Sequence, residues 1–339
     1  IFFRTAKREY VIIDAPGHVE FVVNMITGAA QADAAVLIVD ASEGIQEQTK
    51  RHAYILSMLG IKHVIVVVNK IDLVDYSEEK YNAIAAELTT FLFGINIYNV
   101  TSVPISSTNG DNITERSKNT KWFKGKTFIE LVDSIPETTD ASDQFTVFPV
   151  QDVYNINNQC KNKRISVGKI EAGSMSKGQR ICVLPSQEQA HIKSIEKYHE
   201  NKIQAENGEC IGIMTDKPLF IERGNVICSE NHKLKTVSAF KASLFWMNPS
   251  SATIGDKLTL RCTTQEVGCN LSKIFKKINS STLEKIENDL SCLNKLEVGE
   301  IEIKTKKPII ISTISGIQSL ARFVLLLNDV IVACGIIVK

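Results

Sequence analysis

Apolar runs of strand length alternate with stretches of helical periodicity in the first part of the chain. Continuous apolar runs separated by helices are typical of parallel strands buried on both faces, so this pattern predicts a parallel sheet covered by helices. An alternating segment at residues 1–10 leads into the first run. The predicted strands are residues 10–14, 34–39, 63–68 and 103–105, and the predicted helices are residues 46–59 and 77–93.

The pattern changes after the polar stretch at residues 135–143, which has the composition of a linker. Short strands at regular spacing, separated by turn residues, indicate barrels or sandwiches. A second break near residues 231–235 divides these strands into two sets. We therefore predict an α/β domain at residues 1–140, followed by two β-barrel domains at residues 144–232 and 235–339.

The composition is that of an ordinary globular protein, with 44% hydrophobic and 23% charged residues among 339. These proportions exclude disorder, collagen and coiled coil. The formal net charge of +1 argues against a long basic nucleic-acid surface, although a local patch can hide inside a neutral total. Every apolar run is far shorter than the ~20 residues of a membrane span, so we expect no membrane association.

Cysteines are spread through the chain beyond residue 159. None forms a C-x-x-C pair, so the sequence has neither the spacing of a zinc site nor a thioredoxin motif. The pattern favours reduced thiols in a cytoplasmic protein, several of them on strand faces. The positions are 160, 182, 210, 228, 262, 269, 292 and 334.

Polar motifs follow the predicted parallel strands where these strands end. Asp14 opens Asp-Ala-Pro-Gly-His, Asn69 opens Asn-Lys-Ile-Asp, and Ser106 follows the last strand. Ligands of parallel α/β sheets bind at these carboxyl ends. D-x-x-G alone is compatible with a tight turn, whereas Asn-Lys-x-Asp is more specific, because a turn needs neither the lysine nor the second carboxylate. Together, in this order, the motifs predict a single ligand site.

The first motif suits the phosphates of a nucleotide. The Asp14 carboxylate can hold Mg²⁺ through water, and the backbone N–H of Gly17 can approach a γ-phosphate where a side chain would clash. His18 follows directly, so its ring can orient a water molecule as the nucleophile. His18 is therefore the predicted catalytic residue, and Asp14 is the predicted metal ligand.

The other two motifs suit a guanine base. Asp72 can accept hydrogen bonds from the N1–H and the exocyclic amine of guanine, which adenine does not offer. Asn69 can bond the other edge of the purine, and the stem of Lys70 can cover the ring. Backbone N–H groups around Ser106 and Ser107 can meet the guanine carbonyl. We therefore predict a site for GTP with Mg²⁺.

Several of these segments together resemble the translation-factor class of GTPases, which includes elongation factor Tu and elongation factor 1-alpha. The resemblance continues through both β-domains. It implies an α/β P-loop-type GTPase domain, here truncated with its phosphate loop missing, followed by two β-barrel domains. The segments are DAPGHVEF at 14–21, NMITGAAQAD at 24–33, VDA at 39–41, NKID at 69–72 and WFKG at 122–125.

Within this class we expect the chain to match best the GTPase subunit of sulfate adenylyltransferase, including forms fused to adenylylsulfate kinase. That resemblance implies that GTP hydrolysis is coupled to formation of adenylylsulfate from ATP and sulfate on a small catalytic subunit, which would be the partner. A kinase domain after Lys339 stays open. The segments that favour this match are residues 2–8, 48–52, 59–63, 148–154, 184–186, 264–266 and 278–284.

One part of the class pattern is missing from the sequence. It contains no G-x-x-x-x-G-K-[ST], the loop that holds the α- and β-phosphates. The switch threonine that the class places just before residues 1–10 is missing as well. We expect a truncated chain rather than a degenerate paralogue, because the loss stops in front of a strand that needs a neighbour. This chain alone should bind GTP poorly and hardly hydrolyse it.

Two other functions compete with this reading. One is an elongation factor 1-alpha-like carrier of aminoacyl-tRNA, against which the neutral charge weighs weakly. A salt-dependent affinity for tRNA would favour it. The other is a non-catalytic interaction protein derived from such a GTPase, which would bind its partner without a nucleotide.

Overall fold

The computed structural model describes most of the chain, and it divides into two compact units. The first unit comprises Ile1–Thr138 with Ile278–Ile286, and the second comprises Thr139–Lys277 with Glu287–Lys339. The described residues are 1–14, 32–136, 145–158, 161–197, 200–286, 289–313 and 316–338.

A three-stranded parallel sheet forms the centre of the first unit. β3 (Ala34–Asp40), β4 (His63–Asn69) and β5 (Asn99–Pro104) lie in that order. The valine and isoleucine side chains of β4 at residues 64–68 are at most 2% exposed, as a strand covered on both faces requires. The predicted α/β sheet is therefore confirmed for these strands.

Helices cover this sheet, and two of them begin at residues whose side chains cap them. Ser77 caps α2 by accepting a hydrogen bond from the Lys80 backbone N–H. Thr127 caps α3 in a capping box, in which its side chain accepts from the Glu130 N–H and the Glu130 carboxylate accepts from the Thr127 N–H. The helices are α1 (Glu47–Met58), α2 (Glu78–Gly94) and α3 (Phe128–Asp133), with a 3₁₀-helix at Ile71–Val74.

The buried strand predicted at residues 10–14 is wrong. β1 (Phe2–Arg4) and β2 (Glu9–Val11) form a separate antiparallel hairpin, and Ile12 and Ile13 are each 45% exposed. Within the described ranges, β2 pairs with β1 and with no strand of the parallel sheet. An apolar run shows that a strand can be covered on both faces, but it does not determine which neighbours cover it.

The second unit begins with a closed β-barrel. Its six strands pair in the order β10, β13, β7, β6, β14 and β9. Because β9 also pairs with β10, the ring is closed and has no free edge. β11 extends the sheet beside β10, and β8 pairs with β12. The strands are β6 (Val147–Asn158), β7 (Lys161–Lys169), β8 (Ser174–Ser176), β9 (Arg180–Leu184), β10 (Glu188–Lys197), β11 (Glu200–Lys202), β12 (Gln204–Glu206), β13 (Cys210–Thr215) and β14 (Val226–Cys228).

A further closed barrel follows along the chain. Its ring runs β17, β22, β23, β15, β21 and β18, and it closes because β18 also pairs with β17. A 3₁₀-helix at Gln318–Leu320 precedes β22. The strands are β15 (Lys235–Trp246), β16 (Ala252–Thr253), β17 (Lys257–Cys262), β18 (Gln265–Asn279), β19 (Lys285–Ile286), β20 (Cys292–Leu293), β21 (Glu297–Ile311), β22 (Arg322–Leu327) and β23 (Val330–Ile337).

The two barrels share a continuous hydrophobic core. Buried residues of the first, such as Val147 and Cys228, belong to one cluster with Leu234 in the connection and with Leu244 and Leu325 in the second. The predicted arrangement of two β-barrels after an α/β domain is therefore confirmed. None of the helices in the described part of the chain combines the length and hydrophobicity that crossing a membrane requires.

Candidate nucleotide-binding site

Two polar strand ends and the loop after a third strand lie side by side at the carboxyl edge of the parallel sheet. Asp40 at the end of β3 is the register partner of Asn69 at the end of β4. The loop after β5 is fixed beside them, because the Ile105 N–H donates to the Val68 carbonyl at 2.8 Å and the Ile71 N–H donates to the Ile105 carbonyl at 3.1 Å. The sheet therefore brings together the two motifs that the sequence analysis assigned to a base.

A hydrogen bond joins these two motifs directly. The Asn69 side-chain oxygen accepts from the Ser107 backbone N–H at 3.1 Å. Ser106 is fully buried, and its hydroxyl accepts from the Asn109 N–H at 3.3 Å, which shapes the loop after β5. Ser107 itself is exposed. The Asn69 amide thus holds the 106–107 loop against the end of β4.

Lys70 is held by its backbone and by an ion pair. Its φ of 57° lies in the left-handed region, which is costly for a residue other than glycine and needs support from its surroundings. Its Nζ lies 2.7 Å from Asp40 Oδ2, and Asp40 Oδ1 accepts from the Ser42 N–H at 2.8 Å and the Ser42 hydroxyl at 2.6 Å. The hydrogen bond from Lys70 lowers the pKa of Asp40, and the same contact raises the pKa of Lys70. Both groups are charged at neutral pH.

Asp72 lies in the 3₁₀-helix that follows Lys70 and is half-buried. Among the residues that the structure describes, none donates a hydrogen bond to its carboxylate, in contrast to Asp40. Both oxygens can therefore accept hydrogen bonds from a ligand at the sheet edge. This is the property that recognition of a guanine N1–H and exocyclic amine requires.

An aromatic cluster supports the loops around this edge. The Trp122 indole N–H donates to the Tyr76 carbonyl at 2.9 Å, and the Tyr76 hydroxyl donates to Asp111 Oδ2 at 3.0 Å. Trp122 and Phe123 both pack against Tyr81 of α2. The sequence analysis used residues 122–125 only as a signature, and it missed this supporting role because the contacts span distant parts of the chain.

A cleft of about 410 Å³ opens beside the Asp40–Lys70 pair. Gln48, Thr49 and His52 of α1 line it together with Asp40 and Asn69. Gln48 Nε2 lies 2.8 Å from His52 Nε2, and burial followed by the charge of Arg51 lowers the pKa of His52. The sequence analysis assigned no role to His52, because only the fold places it in the cleft wall.

The phosphate side of the predicted site is only partly described. Gly17 and His18 lie outside the described residues, so their roles stay predictions. Asp14 is exposed, and no hydrogen bond joins it to the described residues at the ends of β3, β4 and β5. Its carboxylate is a hard oxygen donor of the kind that Mg²⁺ prefers, so its chemistry fits the predicted metal and its role as a ligand stays a prediction.

The fold defines the class, a GTPase-type α/β domain followed by two β-barrel domains. Residues 1–144 match the family described as Elongation factor Tu GTP binding domain, and residues 239–338 match the GTP-eEF1A C-terminal domain-like family. The chain is 36% identical over 326 residues to elongation factor 1-alpha of Methanothermobacter thermautotrophicus, a match that covers 95% of this chain and 78% of that protein. It is 35% identical over 352 residues to elongation factor 1-alpha of Methanopyrus kandleri, covering 99% and 82%. The chain belongs to the elongation factor 1-alpha family of translation-factor GTPases.

Solved structures agree on the fold. A crystal structure of sup35 complexed with GMPPNP matches with a TM-score of 0.56 and 26% identity, covering all of this chain and 83% of that one. The structure of sup35 complexed with GDP gives a TM-score of 0.55 at 24% identity with the same coverage. Both therefore support the three-part architecture.

The finer match to the GTPase subunit of sulfate adenylyltransferase is wrong. The relatives named above, and a third from Methanosphaera stadtmanae at 36% identity, are elongation factors 1-alpha. The small catalytic subunit as partner, and ATP as a substrate of the complex, are withdrawn with that match. The expectation against a nucleic-acid partner is wrong too, because a net charge near zero describes only the sum and not the local surface.

Two of the residues that suggested the finer match, Gln265 and Asn279, make contacts that build a strand pairing and a turn. The Gln265 amide donates to the Ile310 carbonyl at 2.8 Å and accepts from the Ile310 N–H at 2.7 Å. Asn279 accepts from the Ser281 N–H at 2.9 Å and the Ser281 hydroxyl at 2.8 Å, which shapes the turn after β18. Because such contacts build strands and turns, these residues do not distinguish one activity within the class from another.

Proposed function

We propose that this chain binds guanine nucleotides and acts as a translation GTPase of the elongation factor 1-alpha type, with aminoacyl-tRNA and the ribosome as its partners. The observation that carries the nucleotide part is the bond between Asn69 Oδ1 and the Ser107 N–H. This bond joins the two loops that a guanine base would contact. The translation part rests on the similarity to elongation factor 1-alpha, which is 36% identity over 95% of this chain.

The base-binding half of the proposal assigns a task to each described residue. Asp72 accepts the N1–H and the exocyclic amine of guanine, and the loop of Ser106 and Ser107 offers backbone N–H groups to the carbonyl. Asn69 keeps that loop in place and faces the purine. Lys70, anchored by Asp40, lays its aliphatic stem along the ring.

The phosphate half assigns Asp14, Gly17 and His18. Asp14 holds Mg²⁺ through water, the ion neutralising the charge on the phosphates when it is bound. The Gly17 N–H approaches the γ-phosphate, and the His18 ring orients the attacking water. Because the printed sequence has no G-x-x-x-x-G-K-[ST], we expect this stretch of chain by itself to bind weakly and hydrolyse GTP slowly.

Aminoacyl-tRNA binding tests the translation part of the proposal. The protein expressed from its gene is loaded with GMPPNP or with GDP, and its affinity for aminoacyl-tRNA is measured in each state. We expect at least about tenfold tighter binding in the GMPPNP state, because a switch protein couples the two ligands. Deacylated tRNA is the matched control, and it should bind weakly in both states. Equal affinity in the two nucleotide states would overturn this part.

A further inference from the structure

Two cysteines and a histidine meet at the side of the first barrel that faces the core shared with the second barrel. The Sγ atoms of Cys182 and Cys228 and a ring nitrogen of His232 all lie within 4.8 Å of one another. Cys182 on β9 and Cys228 on β14 are register partners on neighbouring antiparallel strands. They are 6% and 0% exposed, so the pair is shielded from water.

The histidine of this group also carries an unsatisfied buried ring nitrogen. His232 Nδ1 is buried and has no hydrogen-bond partner within the described residues. A buried polar atom without a hydrogen-bond partner destabilises the fold, so such an atom calls for an explanation. A turn positions the backbone of this residue, because the backbone N–H of His232 donates to the Ser229 carbonyl at 3.2 Å. Imidazole nitrogen is, with cysteine sulfur, one of the ligand types that zinc binds in proteins.

Other buried cysteines of the chain have no such surroundings. Cys262, Cys269 and Cys334 are also buried, yet Cys182, Cys228 and His232 form the single group of three close ligands found among the described residues. Free buried cysteine is ordinarily a small apolar residue. An apolar role alone does not explain why Cys182 and Cys228 are paired across two strands with a histidine ring nitrogen beside them.

We propose that Cys182, Cys228 and His232 bind one thiophilic divalent cation of the zinc class. Two thiols release their protons to solvent, and the two thiolates balance the charge of the ion. Zinc bonds of about 2.3 Å to sulfur and 2.0 Å to nitrogen place tetrahedral ligand atoms roughly 3.5–3.8 Å apart. Because the three ligand atoms lie within 4.8 Å of one another, each pair needs to draw together by no more than about 1 Å. The fourth position is left for water or an added ligand.

The position of the site gives the metal a structural role. His232 lies just before Leu234, which is buried in the core shared by the barrels, and before β15, which begins at Lys235. A metal held by β9, β14 and this connection would fasten the end of the first barrel to the start of the second. Sequence spacing could not reveal it, because the ligands are at positions 182, 228 and 232 and no C-x-x-C is present.

Cobalt and zinc titrations of the reduced protein test the proposal. We expect one Co²⁺ to bind per chain, with a thiolate-to-cobalt charge-transfer band and the intense visible bands of tetrahedral cobalt, and one Zn²⁺ to displace it. His232→Ala should weaken Zn²⁺ binding at least about tenfold, and Cys228→Ser should remove the charge-transfer contribution of its sulfur. Zn²⁺ should also raise the melting temperature of the native protein and not that of His232→Ala.

Cys210→Ser is the matched control, because Cys210 is an exposed thiol in the same barrel, and it should leave binding unchanged. His232→Ala keeps the test decisive if a cysteine variant does not fold, because it removes an unsatisfied atom from a half-buried side chain. The proposal is overturned if the reduced native protein binds no stoichiometric Co²⁺ or Zn²⁺. It is also overturned if His232→Ala binds as tightly as the native chain, or if the purified protein carries a Cys182–Cys228 disulfide in place of metal.

Discussion

At the scale of single residues, Asp72 and Asp40 differ in their hydrogen-bond partners, and we infer different roles for the two carboxylates from this difference. Asp40 receives hydrogen bonds from Lys70 and Ser42, so its oxygens are committed to holding the lysine. Asp72 lies two residues beyond that lysine, and its carboxylate accepts no hydrogen bond from the described residues. A carboxylate whose oxygens already accept hydrogen bonds within the protein holds the site in shape, whereas one without such bonds can accept hydrogen bonds from a ligand.

Replacing Asp72 with asparagine should change the preferred base. The amide oxygen of Asp72→Asn still accepts the N1–H, but its NH₂ faces the exocyclic amine of guanine, so two donors oppose each other. We expect GDP affinity to fall about a hundredfold and XDP affinity to rise, because xanthine presents a carbonyl at that position. Fluorescence competition with both nucleotides measures the switch.

Asp75→Asn is the control for this change. Asp75 is an exposed carboxylate in the same loop, with a φ of 53° that asparagine tolerates. It should leave both affinities unchanged. An unaltered ratio of GDP to XDP affinity in Asp72→Asn would contradict the role assigned to Asp72.

At the scale of elements, the loops at the sheet edge depend on how neighbouring strands and helices end. α3 is short, and its N-terminus is closed by the Thr127 capping box rather than by its own length. The helix contributes Leu131 and Val132 to the core on one face of the sheet, beside Ile65 and Val67 of β4. Fraying of this helix would therefore loosen the strand that carries Asn69.

Thr127→Ala should destabilise the protein by about 1–2 kcal/mol, because it removes the bond to the Glu130 N–H and half of the capping box. A urea unfolding curve measures the loss. Thr90→Ala, at an exposed position inside α2, is the control and should change stability by less than about 0.5 kcal/mol. Equal effects of the two substitutions would show that the cap does not stabilise α3.

At the scale of the whole molecule, the two barrels form closed rings that share one core, and ion pairs lie on their surface. The Glu209 carboxylate accepts hydrogen bonds from Lys197 Nζ at 2.8 Å, from Lys202 Nζ at 2.5 Å and from the Glu206 backbone N–H at 2.9 Å. The hydrogen bonds from the two lysines lower the pKa of Glu209 to about 2. These contacts tie β10, β11 and the turn before β13 together at the edge of the barrel.

Acid should therefore weaken the folded protein through Glu209. The pKa of Glu209 in the folded protein is below the ordinary value of 4.5. Its contribution to the free energy of unfolding is therefore complete above pH 4.5 and is lost as the pH falls toward 2. Urea midpoints at pH 7 and at pH 3 measure this loss, which should be smaller in Glu209→Gln than in the native protein. Glu206→Gln, at an exposed position, should behave as the native protein does. The same pH dependence in Glu209→Gln would contradict this account.

The sequence predicted the parts of the structure that depend on local pattern. The apolar run of β4 predicted a parallel strand covered on both faces, and the motifs at residues 69–72 and 106–107 predicted a shared strand edge. Pattern could not predict the pairing of residues 10–14, because neighbours are set by tertiary contacts. The Asp40–Lys70 ion pair and the Cys182 cluster lay beyond reach for the same reason.

The choice between activities within the class failed for a different reason. Residues such as Gln265 and Asn279 were weighed as functional signatures, yet Gln265 joins β18 to β21 in the second barrel and Asn279 shapes the turn after β18. A residue whose contacts serve the fold does not by itself indicate which partner the protein serves.

The most direct test of the central claim is the ratio of GDP to ADP affinity. Both constants are measured by calorimetry on the protein expressed from its gene, with Mg²⁺ present. We predict at least about a hundredfold preference for GDP, because adenine offers Asp72 neither of the two hydrogen bonds that guanine does. Comparable affinities for GDP and ADP would contradict the claim that the edge formed by β4 and β5 reads guanine.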